Sequence, residues 1–148
     1  MGEPMKTMEE IQKEIVEDFS FFEEWMDKYE EIIEFGKSLK GLPEELKTEE
    51  NLVRGCQSNV WVVSEMNNGL LHFEADSDAI ITKGIVGLLL RIFSGQRPID
   101  IATEELYALD EIGLQAHLSP NRANGLNAMV NKIKLMALAH RAKEEAEG

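Results

Sequence analysis

The stretch that decides the fold is Val60-Trp61-Val62-Val63-Ser64-Glu65-Met66, then Asn67-Asn68-Gly69, then Leu70-Leu71-His72-Phe73-Glu74-Ala75. The first flank is rich in β-branched and aromatic side chains, the second carries Leu70, Leu71 and Phe73, and Asn68-Gly69 is a dipeptide that accepts the positive φ of a tight two-residue loop. The stretch predicts a β-hairpin. Directly after it, Asp76-Ser77-Asp78 offers side-chain caps for a helix from about Ala79 to Phe93, a segment apolar on nearly every side. Such a helix has to be buried. Gly84 and Gly87 lie three apart on it, and a helical glycine costs about 1 kcal/mol against alanine. That cost predicts close approach of another backbone, expected to be the hairpin.

Upstream, Ile11, Ile15, Phe19, Phe22, Met26, Tyr29 and Ile33 recur at spacings of three and four, the mark of an apolar helical stripe that Ser20 divides into two helices. Gly36 and Gly41-Leu42-Pro43 are expected to stop this helical region, and an irregular stretch then runs to Val60. Downstream, Pro98 to Ala102 reads as a helical turn, Glu104 to Ile112 as a helix ended by Gly113, and Ser119-Pro120 as the opening of a last helix. Its stripe is Leu126, Met129, Val130, Ile133, Ala137 and His140. The expected class is α+β, with a small antiparallel sheet of two to three strands packed against several helices. One domain is expected over residues 8–142, flanked by a flexible N-terminus (1–7) and a flexible polar tail (143–148).

The chain has 148 residues, 43% of them apolar, and a formal charge of −13, with 16 acidic and 6 basic side chains in residues 1–50. Its field repels nucleic acid and anionic membranes, so neither is expected as a partner, and a basic protein surface is the natural one. No apolar run is long enough to span a bilayer, no signal core is present, and Lys6 stands where a myristoylation pattern wants Ser or Thr. A single cysteine excludes an internal disulfide and suits a reducing, cytoplasmic compartment.

Few residues offer chemistry. His72, His117 and His140 stand apart with no companion ligands at metal spacing, and there is no phosphate-cradling glycine motif, so neither a metal nor a cofactor is expected. Cys56 remains, in Arg54-Gly55-Cys56-Gln57-Ser58-Asn59. It reads either as a small inert core residue or as a reactive thiol, since Gly55 frees the backbone beside it and the Arg54 cation would favour the thiolate.

Three blocks settle the direction: Gly55-Cys56-Gln57-Ser58-Asn59-Val60-Trp61, Ala75-Asp76-Ser77-Asp78-Ala79, and His117-Leu118-Ser119-Pro120-Asn121-Arg122 with Gly125-Leu126. In this order and spacing they resemble the SufE-like sulfur acceptors. The resemblance implies a SufE/IscU-like domain whose Cys56 takes persulfide sulfur from a PLP-dependent, SufS-like cysteine desulfurase. It further implies stimulation of that enzyme and delivery of sulfur to scaffold proteins for iron–sulfur cluster assembly. By the same resemblance Asp76 and Asp78 shape the helix start beside Cys56, and Arg122 lies near the cysteine loop, with Gln57 and Ser58 in support. Asp110, twelve residues before Arg122, is expected either to form an ion pair with it or to serve as an ordinary surface or capping residue.

Three alternatives stand beside this reading. One is a carrier for another sulfur-delivery route. Another is a cysteine-dependent hydrolase or transferase, which needs a histidine base and has only His117 as candidate. The third is a non-catalytic adaptor that docks through its acidic helices. For a carrier, Cys56 is expected to be sheltered in the free protein and exposed by partner docking, whereas Arg54 beside an exposed thiol would make it fast-reacting at all times.

Overall fold

A computed structural model describes residues 2–147; Met1 and Gly148, the outermost residues of the two ends expected to be flexible, lie outside the described residues. The element order is α1 (Met8–Ser20), α2 (Trp25–Lys37), a 3-10 turn (Glu44–Leu46), β1 (Val60–Asn67), β2 (Leu70–Ser77), α3 (Ile80–Phe93), α4 (Pro98–Thr103), α5 (Ala108–Glu111), α6 (Leu114–His117) and α7 (Pro120–Glu147). This is the α+β class that the hairpin and its flanking helices lead one to expect.

The hairpin has the expected register. Val60 stands opposite Ser77 and Asn67 opposite Leu70, and Asn68 and Gly69 close the loop at φ of 56° and 81°. Positive φ at both loop positions matches the right-handed twist of the strands, which is why Asn-Gly suits them. Val60 and Val62 of β1, with Leu71, Phe73 and Ala75 of β2, are buried in the core. Along the outer edge of β1 the chain doubles back. The Val53 amide donates to Val60 O at 2.8 Å and the Val62 amide to Asn51 O at 2.9 Å, while Leu52 bridges Trp61. A rudimentary third strand therefore enters the sheet just before the cysteine loop.

Helix α3 is the buried centre, with its inward residues from Ile81 to Phe93 packed under the hairpin and against α2. The glycines on α3 meet α2, and this corrects the expectation that they face the hairpin. A Cβ on Gly87 would stand 2.5 Å from Phe35 O, one on Gly84 would collide with Ile32 O, and one on Gly36 would stand 2.7 Å from the Gly84 amide nitrogen. Two helices crossing at this distance need glycine on both surfaces, because any side chain would wedge their backbones apart. Gly36 is accordingly a packing residue inside α2 and does not end it.

Other boundaries also moved. Helix α3 begins after Ala79 with no side-chain cap from Asp76 or Asp78; only Ser77 Oγ approaches, accepting from the Ala79 amide at 3.3 Å. The helix expected from Glu104 to Ile112 shrinks to α5, because Gln12 of α1 is buried against that segment. Its Nε2 donates to Glu105 O at 3.0 Å, and its Oε1 accepts from the Tyr107 and Ala108 amides at 2.9 and 3.0 Å. Backbone groups satisfied by a distant side chain have no need of helical partners. Residues 2–7 run beside the hairpin loop, with the Gly2 amide donating to Asn68 O at 2.6 Å and Gln96 Nε2 to Lys6 O at 2.8 Å. At the other end α7 stays helical through the polar tail, where Arg141 pairs with Glu145 at 3.1 Å.

Candidate functional site

Cys56 sits at the tip of the loop 54–59, and both ends of that loop are fastened. The rudimentary strand holds the entrance at Val53. At the exit, Asp78 takes hydrogen bonds from the Asn59 amide at 3.1 Å and Asn59 Nδ2 at 2.9 Å, while Ser77 Oγ donates to Asn59 O at 2.8 Å. Asp78 thus positions the cysteine loop and not the helix start. Gly55 lies at φ 94°, a conformation costly for other residues, and its Cβ position looks onto Ala128 at 3.3 Å. The loop is a short arch that turns its thiol inward.

The half-buried Sγ of Cys56 points at Gly125 O of α7, 3.5 Å away. Beside it lies a cavity of about 80 Å³ lined by Cys56, Gln57, Ser58, Thr82, Ile85, Asn121, Arg122, Gly125 and Met129. The floor comes from α3 and α7, and the loop forms the roof. Gly125 keeps the space open, since a Cβ there would touch Sγ at 3.5 Å. Burial pushes the Cys56 thiol above its ordinary pKa. The free protein therefore holds a protonated, poorly nucleophilic thiol at neutral pH.

Arg54 does not lower that pKa. Its exposed guanidinium pairs with Glu49 at 3.2 Å, and it is absent from the cavity wall. The reason is Gly55, whose φ of 94° breaks the alternation that would put residues 54 and 56 on one side: with Cys56 turned in, Arg54 is turned out. The expected ion pair between Asp110 and Arg122 is likewise absent among the described residues. Asp110 is exposed, and Arg122 Nη1 donates to the Tyr29 hydroxyl at 2.6 Å instead. Tyr29 was legible only as one more member of an apolar stripe. Its ring packs near Trp25, which stacks on His117 at 4.1 Å, and His117 Nδ1 is 2.9 Å from Gly113 O. His117 is thus a packing residue away from the cavity, and no histidine is among the cavity's lining residues.

Asp76 is a buried clamp one step removed. Its carboxylate accepts from the Leu42 amide at 3.0 Å and the Ser77 amide at 2.8 Å, and it meets Lys47 at 3.5 Å and Lys83 at 3.3 Å. Burial alone would raise its pKa, but the hydrogen bonds from Leu42, Ser77 and Lys83 outweigh it and hold the carboxyl below the usual range. Asp76 thereby ties the stretch that follows α2 to the end of β2. Lys47, held by it, lies over the Trp61 ring at 5.5 Å. Thr82, Ile85, Asn121 and Met129 complete the cavity without having been expected as site residues. The one signal for Thr82 was a hydroxyl in an otherwise apolar helix.

Among the described residues no cluster of His, Cys, Asp and Glu is arranged to hold a metal, and no helix is long and apolar enough to cross a membrane. Comparison with known proteins bears on what this arrangement serves. Residues 13–137 match the family model described as SufE, the Fe-S metabolism associated domain. An uncharacterized SufE-like protein of Rhizobium meliloti (strain 1021) is 45% identical over 126 residues, covering 82% of this chain and 90% of that protein. The sulfur acceptor protein CsdE of Escherichia coli (strain K12) is 38% identical over 117 residues, covering 78% and 80%. The solution structure of a hypothetical protein from Thermus thermophilus, at 18% identity, superposes with a TM-score of 0.72 over 93% of this chain and 97% of that one, a likeness of fold.

Proposed function

The chain belongs to the SufE family, and on that premise we propose that it is an accessory sulfur acceptor. In this reading Cys56 takes a sulfane sulfur from the cysteine persulfide of a PLP-dependent desulfurase and passes it on for iron–sulfur cluster assembly. The observation that carries the reading is the placement of the only cysteine, turned into a small cavity under a loop pinned at both ends. A cavity beside Sγ is of no use to an inert core cysteine, but a persulfide needs room for one more sulfur.

The step is an exchange at sulfur. The Cys56 thiolate attacks the terminal sulfur of the donor persulfide, a new S–S bond forms to Cys56, and the old S–S bond breaks. The donor cysteine leaves as thiolate and takes up the proton that Cys56 gives away, so the exchange is redox-neutral. Removing the product persulfide frees the desulfurase for another turnover, which is the expected origin of stimulation. With one thiol in the chain the loaded form cannot resolve into an internal disulfide. It waits for a scaffold protein, in a reducing compartment such as the cytoplasm.

The test is to mix the protein with a cysteine desulfurase and free cysteine and to read the mass of the peptide containing Cys56. One added sulfur atom is expected, and Cys56→Ser is expected to gain none and to stimulate nothing while keeping its fold. Full stimulation by the serine variant overturns the reading.

A further inference from the structure

Thr82 occupies the third position of α3 and is only 8% exposed, yet among the described residues its hydroxyl has no hydrogen-bond partner. Other hydroxyls on helices in this chain turn back to their own backbone, as Thr103 does to Ile99 O at 2.7 Å and Ser20 to Glu17 O at 2.6 Å. Thr82 does not, and it lines the cavity beside Cys56. Among the described residues no fully buried side-chain polar atom lacks a partner, so the unpaired Thr82 hydroxyl keeps its access to the cavity and stands there as a donor open to a ligand. Apolar Ile85 and Met129 share that wall and offer the hydroxyl nothing.

We propose that the Thr82 hydroxyl is the donor that holds the terminal sulfur of a Cys56 persulfide inside this cavity. The inference rests on the reading of Cys56 as a sulfur acceptor and assigns the loaded state a residue of its own. The terminal sulfur carries the negative charge of a persulfide anion, and a hydrogen bond to a charged acceptor is stronger than one between neutral groups. Gly125, which leaves the space beside Sγ, and Thr82, which supplies the donor, then act together. Among the described residues Arg122 is the one cation on the cavity wall, and its Nη1 already serves Tyr29. Thr82 receives the sulfur only after transfer. The bond made is Cys56 Sγ to sulfane sulfur, the bond broken is donor Sγ to sulfane sulfur, and the hydroxyl keeps its proton throughout.

The test uses Thr82→Val, which preserves shape and removes the donor, and Thr82→Ser, which restores it. Each full-length protein is loaded in two ways, by a cysteine desulfurase with free cysteine and by inorganic polysulfide. After the donor is removed, loss of the added sulfur to glutathione is followed by mass spectrometry, and the near-ultraviolet band of the persulfide anion is titrated with pH. The persulfide on Thr82→Val is expected to be lost about tenfold faster, the factor that one hydrogen bond to a charged group supplies. Its titration is expected at higher pH, with wild-type behaviour in Thr82→Ser. Equal lifetimes and equal titrations in loaded wild type and Thr82→Val overturn the proposal. If the polysulfide arm separates the two proteins while the desulfurase loads neither, the acceptor reading fails and the role of Thr82 in holding sulfur stands.

Discussion

Arg122 and Tyr29, 93 positions apart in the chain, are joined by a 2.6 Å hydrogen bond from guanidinium to phenol oxygen. The bond ties the first turn of α7 to the middle of α2 at the rim of the Cys56 cavity. A cation for which the sequence offered a carboxylate partner thus serves to brace two helices.

That pairing makes Tyr29→Phe informative. Each of Tyr29→Phe and Arg122→Ala is expected to slow sulfur transfer by a few-fold, and the double variant is expected to lose less than the sum of the two. Their effect on unfolding free energy should stay near 1 kcal/mol, about the worth of one partly exposed hydrogen bond. Asp110→Ala should behave as wild type in the same assays. Coupling between Asp110 and Arg122 in such a cycle, and none between Tyr29 and Arg122, contradicts the observed geometry.

The thiol should announce its burial in its reactivity. Because burial raises the Cys56 pKa, alkylation at neutral pH is expected to be slow and to climb with pH to a midpoint above the ordinary thiol range. Here the folded pKa lies above the unfolded one. The stability this confers is complete below the unfolded value and is lost as pH rises through the folded value. A desulfurase lacking its own active cysteine, at concentrations too low to block the site, should accelerate labelling by favouring the open loop. Fast labelling of the free protein, unchanged by that partner, is the opposing outcome.

For Asp76 the sign reverses. Its carboxyl is held below the usual range, so its contribution is present above the unfolded pKa and disappears as pH falls through the folded one. Asp76→Ala is expected to cost about 2–3 kcal/mol near neutrality, since the buried Leu42 amide and the Ser77 amide both lose their acceptor. The penalty should shrink below about pH 4, which denaturant melts at several pH values will measure.

Two glycines should respond oppositely to one added methyl group. Gly87→Ala drives a Cβ to 2.5 Å from Phe35 O and is expected to destabilise by about 1–3 kcal/mol or more, because α2 must move as a body. Gly125→Ala makes an ordinary 3.5 Å contact with Cys56 Sγ and should leave the melting temperature nearly unchanged. In the proposed function it nevertheless occupies the space that the added sulfur would take. Loading of Cys56 is expected to fall several-fold without loss of fold, and unimpaired loading argues that the sulfur lies elsewhere.

Local patterns in the sequence carried the fold a long way. The hairpin, its Asn68-Gly69 loop and the buried helix after it are written in nearest-neighbour chemistry, whereas for Cys56 that chemistry left an inert residue and a reactive thiol both open and only the family resemblance chose. The failures have a common cause, which is that the partner lay far off in sequence. Gly84 and Gly87 announced a close backbone, but only the assembled chain shows that it belongs to α2. Asp76 and Asp78 sat where caps sit, yet tertiary amides from Leu42 and Asn59 took their oxygens. Arg54 stands two residues before Cys56 in the chain and on the other side of the loop in space, paired with Glu49. Tyr29 and Thr82 carried no local mark beyond a polar atom in an apolar pattern.

Gln12 sets an order on the birth of this protein. Its amide group finds its partners at Glu105, Tyr107 and Ala108, 93 to 96 residues later. During synthesis α1 therefore emerges long before the backbone it will fasten exists. Until then the Gln12 amide lacks its partners, although Phe19 can already meet Phe22 and Phe35. At about 5–20 residues per second that interval lasts on the order of 5–20 seconds, a window in which a misplaced apolar face can find a wrong partner. The same long closure makes the first helix a late arrival in refolding from denaturant, after the hairpin and α3 have met through contacts close in sequence.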